Sequence, residues 1–257
     1  MRSRIPTEPY SHFQAREYLS EYYLGLSPEN DYVLRFYHEV FASLGDDLRL
    51  LEIGGGPTVY QLMSASRRAR EIVFTDFLEG NLAEVRAWLR EAPEAFDWRP
   101  YLERVAALEN GGAPDPTALA ARVRGRVTRL LHCDLSRENP LEPEVLADFD
   151  LVSSAFCLEG ITQDRRMFAV FVRRLAGLLR EGGMLIATVV RESEAYKVGS
   201  HYFPACALDE GTLTRALESS GYGDIRLRSL RTDEDHGYTG IIAVTAVRES
   251  GAVETGI

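Results

Sequence analysis

Short apolar runs rich in branched side chains recur along this chain, and they constrain its fold more than any other feature. They occupy residues 48–53, 72–75, 127–133, 151–156 and 184–190. Runs of this length and composition are typical of strands buried on both faces. Helical patterns lie between them, the clearest at residues 168–179. This alternation predicts an α/β fold with a mostly parallel sheet and helices on both faces.

The remaining segments depart from this alternation. Residues 224–230 and 240–247 are strand-like runs separated by a polar stretch, which favours an antiparallel pair at a sheet edge. We expect Gly182 and Gly183 to form the C-cap of the helix at 168–179. Residues 1–45 carry many aromatic rings before the first strand, residues 93–126 form an insertion with short helices such as 118–126, and residues 249–257 form a tail. We interpret all 257 residues as one domain.

Charge and composition disfavour several classes of partner. Lys and Arg total 29 against 39 Asp and Glu, and the net charge of -10 repels nucleic acid. The longest uncharged apolar stretch, residues 184–190, is far shorter than the ~18–20 residues that span a bilayer. No apolar run follows the basic N-terminus, which argues against a secretory signal and favours the cytoplasm. The cysteines and histidines show no metal-ligand spacing, so no metal site is predicted.

A glycine-rich turn points to a nucleoside ligand. Residues 54–56 are glycines directly after a predicted strand, and such a turn lets backbone N–H groups approach a ligand. Val59 replaces the third glycine of a dinucleotide fingerprint, which disfavours NAD. Asp76 ends the second strand, where a carboxylate can accept both hydroxyls of a ribose. Glu52 adds a carboxylate facing the turn, and the negative site favours a cationic nucleoside, S-adenosylmethionine (SAM).

Five segments of the chain together resemble one enzyme family: residues 11–23, 52–62 (EIGGGPTVYQL), 75–77 (TDF), 94–98 (EAFDW) and 154–159 (SAFCLE). The resemblance is to the class I SAM-dependent methyltransferases that include the nicotinamide, phenylethanolamine and indolethylamine N-methyltransferases, and it spans roughly residues 10–248. It implies a Rossmann-like sheet of seven strands with the last strand antiparallel, and an N-terminal helical lid at residues 1–45.

The resemblance also implies a set of cofactor contacts. A tyrosine face beside a sulfonium gains about 0.5–2 kcal/mol of cation–π attraction, although aromatic rings of a lid can equally be core packing. Asp134, at the end of the third strand, can reach the adenine amino group, or it can cap a helix or a surface turn. The implied contacts are Tyr18 and Tyr23 from the lid, with Gly54, Gly56, Tyr60, Asp76, Asn81, Asp134 and Leu135.

On the acceptor side, the resemblance places Glu159 where family members hold an amine. A carboxylate there can bind an ammonium ion and accept its proton, whereas the alternative is a helix-capping or surface glutamate. Ser193 and Tyr196 match residues that line the acceptor pocket, and Tyr18 completes the proposed catalytic set with them.

Two positions depart from the family pattern. Val189 stands where the amine and nicotinamide enzymes carry an acid, and Ala205 stands where the nicotinamide enzyme has a serine. These departures disfavour nicotinamide and catecholamines as acceptors. The residues Glu192, Glu194 and His201 are candidates to replace the missing acid.

Three functions remain open from the sequence. The main hypothesis is SAM-dependent methylation of a small molecule at an amine or a heteroaromatic nitrogen. The alternative is an intramolecular cyclase, in which the amino group of SAM attacks its own γ-carbon and releases methylthioadenosine and azetidine-2-carboxylate. The third is a non-catalytic SAM-binding module. The sequence leaves the oligomeric state open.

Overall fold

A computed structural model describes residues 7–110, 114–232 and 237–251, apart from the side chain of residue 110. The helices are α1 (Ala15–Tyr22), α2 (Pro28–Ala42), α3 (Tyr60–Ala65), α4 (Glu79–Leu89), α5 (Arg99–Asn110), α6 (Pro116–Arg126), α7 (Arg165–Leu178) and α8 (Glu210–Glu218), with 3-10 turns at Tyr10–His12 and Glu159–Ile161. The strands are β1 (Leu48–Glu52), β2 (Ala69–Asp76), β3 (Val127–His132), β4 (Phe149–Ala155), β5 (Leu179–Val190), β6 (Ala195–Val198), β7 (His201–Pro204), β8 (Tyr222–Arg231) and β9 (Gly240–Arg248).

Seven of these strands form one sheet in the order β3-β2-β1-β4-β5-β9-β8, and β6 pairs with β7 in a separate hairpin. The paired strands β1 and β2, β2 and β3, and β4 and β5 are parallel. In contrast, β9 runs antiparallel to β5 and to β8. The predicted α/β sheet with its last strand antiparallel is therefore confirmed, as is the antiparallel pair at the sheet edge.

The chain divides into two compact units. The first unit is Gln14–His132, and it contains α1–α6 and β1–β3. The second unit comprises the described residues of Met1–Phe13 and Cys133–Ile257. Among the described residues, none of the helices combines the length and the apolar character that crossing a bilayer requires.

Parallel pairing in the first unit brings two predicted carboxylates to one sheet edge. Glu52 pairs with Phe74 at the end of β1, and Asp76 pairs with His132 at the end of β2. The carboxyl ends of parallel strands meet at the same edge, which is where ligands bind in open α/β sheets. The register of β1 and β2 thus accounts for the position of the glycine turn beside Asp76.

In the second unit, the end of β4 lies beside the end of β5. Ala155 pairs with Thr188, and the backbone N–H of Phe156 donates to the carbonyl of Thr188 at 2.8 Å. Phe156 has a φ of 53°, so the chain bends sharply after β4. This bend leads into the short turn that begins at Glu159.

The predicted C-cap at Gly182 and Gly183 is wrong. The helix α7 ends directly in the extended backbone of Leu179, and both glycines lie within β5. Gly182 has a φ of 68°, and a Cβ on Gly183 would lie 3.1 Å from the carbonyl oxygen of Phe149. The glycines therefore permit an irregularity in β5 opposite β4, where the register shifts, instead of ending a helix.

The other predicted helices are present. The segment 93–126 contains α5 and α6, and the helices α1 and α2 precede β1. Part of the predicted tail, residues 252–257, lies outside the described residues. The interpretation of the chain as one domain with a lid and an insertion stays a prediction.

Candidate functional site

The glycine turn after β1 packs on one side and is open on the other. Gly54 and Gly56 have φ values of 59° and 64°, in the left-handed region that favours glycine. The backbone N–H of Gly55 donates to the carbonyl of Thr75 at 3.0 Å, and a Cβ on Gly55 would collide with the ring of Phe74. A Cβ on Gly56 would meet nothing within 4 Å. The turn therefore leaves room for a ligand beside Gly56.

Asp76 is the centre of the hydrogen bonds around this turn. Its Oδ2 accepts the backbone N–H of Gly56 at 2.8 Å. Its Oδ1 accepts the N–H of Leu78 at 2.8 Å and the side-chain amide of Asn81 at 2.9 Å. Burial raises the pKa of Asp76, although these three donors oppose the rise. Three of the four lone-pair positions of the carboxylate are used, and one position on Oδ2 remains for a ligand.

The residues around the turn fit a nucleoside. Asn81 is buried, and its Oδ1 has no hydrogen-bond partner among the described residues. Oδ2 of Asp76 and Oδ1 of Asn81 are both acceptors, and a ribose presents hydroxyl donors. Glu52 is fully buried at the end of β1, so a second carboxylate lies in the same unit. This set of acceptors is compatible with the nucleoside and the positive charge of SAM.

A cluster of aromatic rings in the first unit contains the three tyrosines predicted to contact the cofactor. The ring of Tyr23 stacks on that of Tyr60, with centroids 5.3 Å apart, and lies 5.6 Å from the ring of Trp98. The hydroxyl of Tyr18 lies 3.3 Å from that of Tyr23. Burial raises the pKa of Tyr23 and of Tyr60 well above the ordinary value, so both hydroxyls remain protonated. Packing in a core is thus one role of these rings.

Asp134 and Leu135 lie in the second unit. Oδ1 of Asp134 accepts the backbone N–H and the hydroxyl of Ser136 at 2.9 and 2.6 Å, and Oδ2 pairs with Arg137 at 3.3 Å. Burial by itself raises the pKa of Asp134, but these hydrogen-bond partners outweigh burial and hold the pKa below its ordinary value. Leu135 is buried, and its carbonyl accepts from Arg174. Asp134 therefore orders a turn, and its contact with adenine stays a prediction.

Glu159 is a buried carboxylate with one oxygen fixed by the backbone. The residue is 1% exposed, and its Oε1 accepts the N–H of Val190 at 2.7 Å. Its Oε2 is buried and has no hydrogen-bond partner in the described part of the chain. Burial raises the pKa of Glu159 to about 7. The N-cap of the next helix is Asp164, so Glu159 is neither a helix cap nor a surface glutamate.

Tyrosine hydroxyls lie beside the turn that carries Glu159. The hydroxyl of Tyr10 donates to the carbonyl of Gly160 and lies 3.1 Å from the hydroxyl of Tyr196. The ring centroid of Phe203 lies 5.3 Å from the ring centroid of Tyr10 and 5.6 Å from that of Tyr196. Tyr10 was not among the site residues predicted from the sequence. Its position directly before the motif of residues 11–13 was the available signal.

The remaining residues predicted on the acceptor side differ in burial and in their partners. Ser193 is buried, and its hydroxyl donates to the carbonyl of Ala195 at 2.8 Å. Glu192 is exposed and pairs with Arg191 at 2.5 Å, and Glu194 is also exposed. Val189 and Ala205 are both buried, and His201 lies 3.7 Å from Glu8.

The raised pKa of Glu159 predicts a specific pH dependence of stability. The native state binds the proton of Glu159 more tightly than the unfolded state does. The stabilising effect of this proton on the native state is therefore fully present below pH 4.5 and is lost as the pH rises towards 7. Gln at this position still accepts from Val190 but does not titrate. We expect Glu159→Gln to be as stable as the wild type near pH 4.5 and about 3 kcal/mol more stable above pH 7. Urea unfolding at both pH values measures the difference, and a difference independent of pH would contradict the assigned pKa.

The sheet order, the glycine turn and the carboxylate at the end of β2 define a Rossmann-like α/β protein of the nucleoside-binding class. Within that class, a model of the NNMT/PNMT/TEMT family matches residues 4–247, and the chain belongs to this family. The family comprises SAM-dependent N-methyltransferases, so the resemblance noted in the sequence is confirmed.

Curated relatives cover most of the chain. Nicotinamide N-methyltransferase of Homo sapiens is 34% identical over 220 residues, which are 82% of this chain and 83% of the relative. Phenylethanolamine N-methyltransferase of Sus scrofa is 36% identical over 236 residues, 87% of this chain and 81% of the relative. The solved structure of N-methyltransferase NodS from Bradyrhizobium japonicum, in complex with S-adenosylhomocysteine, has a TM-score of 0.57 and 12% sequence identity to this chain. The match covers 93% of this chain and 100% of the NodS chain. That likeness supports the fold.

Proposed function

We propose that this protein transfers the methyl group of SAM to the nitrogen of a small amine with a largely apolar body. The observation that carries this proposal is the buried carboxylate of Glu159, which has one oxygen fixed by Val190 and one oxygen available. When bound, SAM supplies an electrophilic methyl group on a sulfonium. The nitrogen must be unprotonated and aligned to accept that group, and alignment supplies most of the catalysis.

Glu159 is suited to bind an ammonium ion and to take its proton. The pKa of about 7 places the carboxyl near the pH at which a general base works best. The N–H of Val190 holds Oε1, so the acceptor nitrogen binds at Oε2. A cation also relieves the cost of an ionised carboxylate in a buried position. Amines are therefore favoured over neutral acceptors.

The aromatic side chains of the second unit position the acceptor. Tyr10 and Tyr196 place two hydroxyls next to each other, and Phe203 supports both rings. These groups supply an apolar wall with polar tips, which excludes water and orients a small ring or chain. Ser193 contributes to the same wall, with its hydroxyl held by the backbone.

The glycine turn after β1 and the polar side chains at the end of β2 and the start of α4 hold the nucleoside. Oδ2 of Asp76 accepts one ribose hydroxyl, and Oδ1 of Asn81 accepts another polar hydrogen of the ligand. Gly54 and Gly56 allow the backbone to approach it, and Glu52 complements the positive charge. The remaining proposed contacts are Tyr18, Tyr23 and Tyr60 near the sulfonium, and Asp134 and Leu135 near the adenine.

Two buried apolar positions narrow the acceptor class. Val189 and Ala205 provide no charged group and no hydroxyl, and both are buried. A catecholamine and nicotinamide are therefore disfavoured, and an amine with few polar substituents is favoured. We further propose that residues 1–257 act as one methyltransferase domain in the cytoplasm, with residues 1–45 as its lid. The family and the relatives give no support to the cyclase or to the non-catalytic module.

Mass spectrometry of S-adenosylhomocysteine tests this function. The purified chain is incubated with SAM and 2-phenylethylamine, tryptamine, phenylethanolamine or nicotinamide, and with SAM alone. We expect S-adenosylhomocysteine with at least one of the less polar amines, and none with nicotinamide or without an acceptor. Methylthioadenosine from SAM alone would instead establish the cyclase. Calorimetric binding of SAM without any product would favour the non-catalytic module.

A further inference from the structure

Two histidines and one glutamate of the second unit meet on the segments that also carry Tyr10 and Phe203. Glu8 and His12 come from the N-terminal segment, and His201 begins β7. Nδ1 of His12 lies 2.7 Å from Oε2 of Glu8, and Nδ1 of His201 lies 3.7 Å from Oε1 of Glu8. One ligand atom from each residue lies within 4.8 Å of the others. We propose that Glu8, His12 and His201 bind a divalent metal ion of the zinc type.

The donor set matches zinc. Two imidazole nitrogens and one carboxylate oxygen are a known three-ligand set for Zn²⁺, with water in the fourth position. Zinc bonds of about 2.0–2.2 Å place tetrahedral ligand atoms about 3.3–3.5 Å apart. The two separations between Glu8 and the imidazoles lie on either side of this value, and all three ligand atoms lie within 4.8 Å of one another, so side-chain rotations bring them to one ion. The residues are exposed or half-buried, which leaves the fourth position open to water.

The backbone around the three side chains is already ordered. The N–H of Glu8 donates to the carbonyl of Tyr202 at 2.7 Å, which ties the N-terminal segment to β7. His12 lies in the 3-10 turn Tyr10–His12, and the ring of Phe13 packs on Phe203 with centroids 5.4 Å apart. In the hairpin, His201 pairs with Val198. The ligands therefore lie on preorganised segments, which reduces the entropic cost of binding.

A bound ion would link two segments that are far apart in the sequence. It would join the turn Tyr10–His12 to β7 through side chains, in addition to the backbone hydrogen bond at Glu8. Such a link stabilises the native state in proportion to the ion bound, because the unfolded chain does not hold the three ligands together. The role of the ion is structural, because it links the turn Tyr10–His12 to β7. His201, a candidate from the sequence for the acid missing at Val189, is then a metal ligand instead.

Calorimetry on the metal-stripped full chain without an affinity tag tests this site, with ZnCl₂ as the probe. We expect one Zn²⁺ per chain, and a loss of affinity of at least about 10-fold in His12→Ala and in His201→Ala. His38→Ala is the matched control, because His38 lies in α2 of the first unit, and it should bind zinc as the wild type does. Circular dichroism confirms that each variant is folded.

A second measurement guards against indirect effects of the substitutions. The absorption spectrum of the Co²⁺-substituted wild type should show the intense visible bands of a four-coordinate site, and His201→Gln should lose them. No binding of zinc by the wild type would overturn the proposal. Equal affinities in the wild type, His12→Ala and His201→Ala would overturn it as well, because the ion would then bind elsewhere.

Discussion

Replacing Glu159 with glutamine is expected to lower kcat for an amine acceptor by about 100-fold or more, the usual contribution of a positioned general base. Glutamine still accepts the N–H of Val190, so the local backbone is retained. It neither binds an ammonium ion as a counter-charge nor takes its proton. The affinity for SAM, measured by calorimetry, should remain unchanged, because Glu159 is assigned to the acceptor alone.

The pH profile separates this role from a structural one. For the wild type, kcat/KM should rise as the pH increases through about 7, where Glu159 loses its proton, and the rise should disappear in Glu159→Gln. Glu181→Gln is the matched control, because Glu181 is exposed near the start of β5 of the same unit. An equal loss of turnover and of SAM affinity in Glu159→Gln would remove Glu159 from the acceptor site.

Asp76→Ala is expected to weaken SAM binding by about 100-fold or more. A hydrogen bond to a charged group contributes about 1.5–3 kcal/mol, and this substitution also releases the N–H of Gly56 and the amide of Asn81. The glycine turn and the start of α4 therefore lose their common acceptor. Calorimetry with SAM measures the change, and circular dichroism verifies the fold.

A control for this substitution lies in the same unit. Asp46 is exposed and pairs with Arg68 at 2.7 Å, and it lies at the opposite end of β1 from the glycine turn, so Asp46→Ala removes a carboxylate outside the proposed site. Asp46→Ala should bind SAM as the wild type does. If Asp76→Ala is folded and binds SAM with unchanged affinity, the assignment of the cofactor site to the end of β2 is wrong.

The cofactor side was largely predictable because its geometry is local. The glycines directly follow β1, and parallel pairing places the end of β2 at the same edge, so the position of Asp76 follows from the strand pattern. The family resemblance added Asn81, which lies in the first turn of α4. The pattern did not predict that Asp76 already accepts three hydrogen bonds, because these depend on the exact course of the turn.

The acceptor side and the cap of α7 were harder to predict. The pattern did not distinguish a buried Glu159 from a surface residue, because its burial depends on β5 and on the segment at Cys206, whose N–H donates to its carbonyl. Gly182 and Gly183 matched a helix C-cap by position. Their actual place in β5 depends on the pairing with β4, which is a long-range interaction.

By itself, the sequence determined the α/β class, the antiparallel last strand, the family and the glycine turn with its carboxylate. These features follow from periodicity, turn chemistry and motifs of contiguous residues, which act over short distances along the chain. Only the tertiary structure decided that Glu159 is buried with one oxygen available, that Tyr10 meets Tyr196, and that His12 and His201 share Glu8. Those features join residues distant in sequence, so the raised pKa of Glu159 and the spacing of Glu8, His12 and His201 arise from packing that no local pattern encodes.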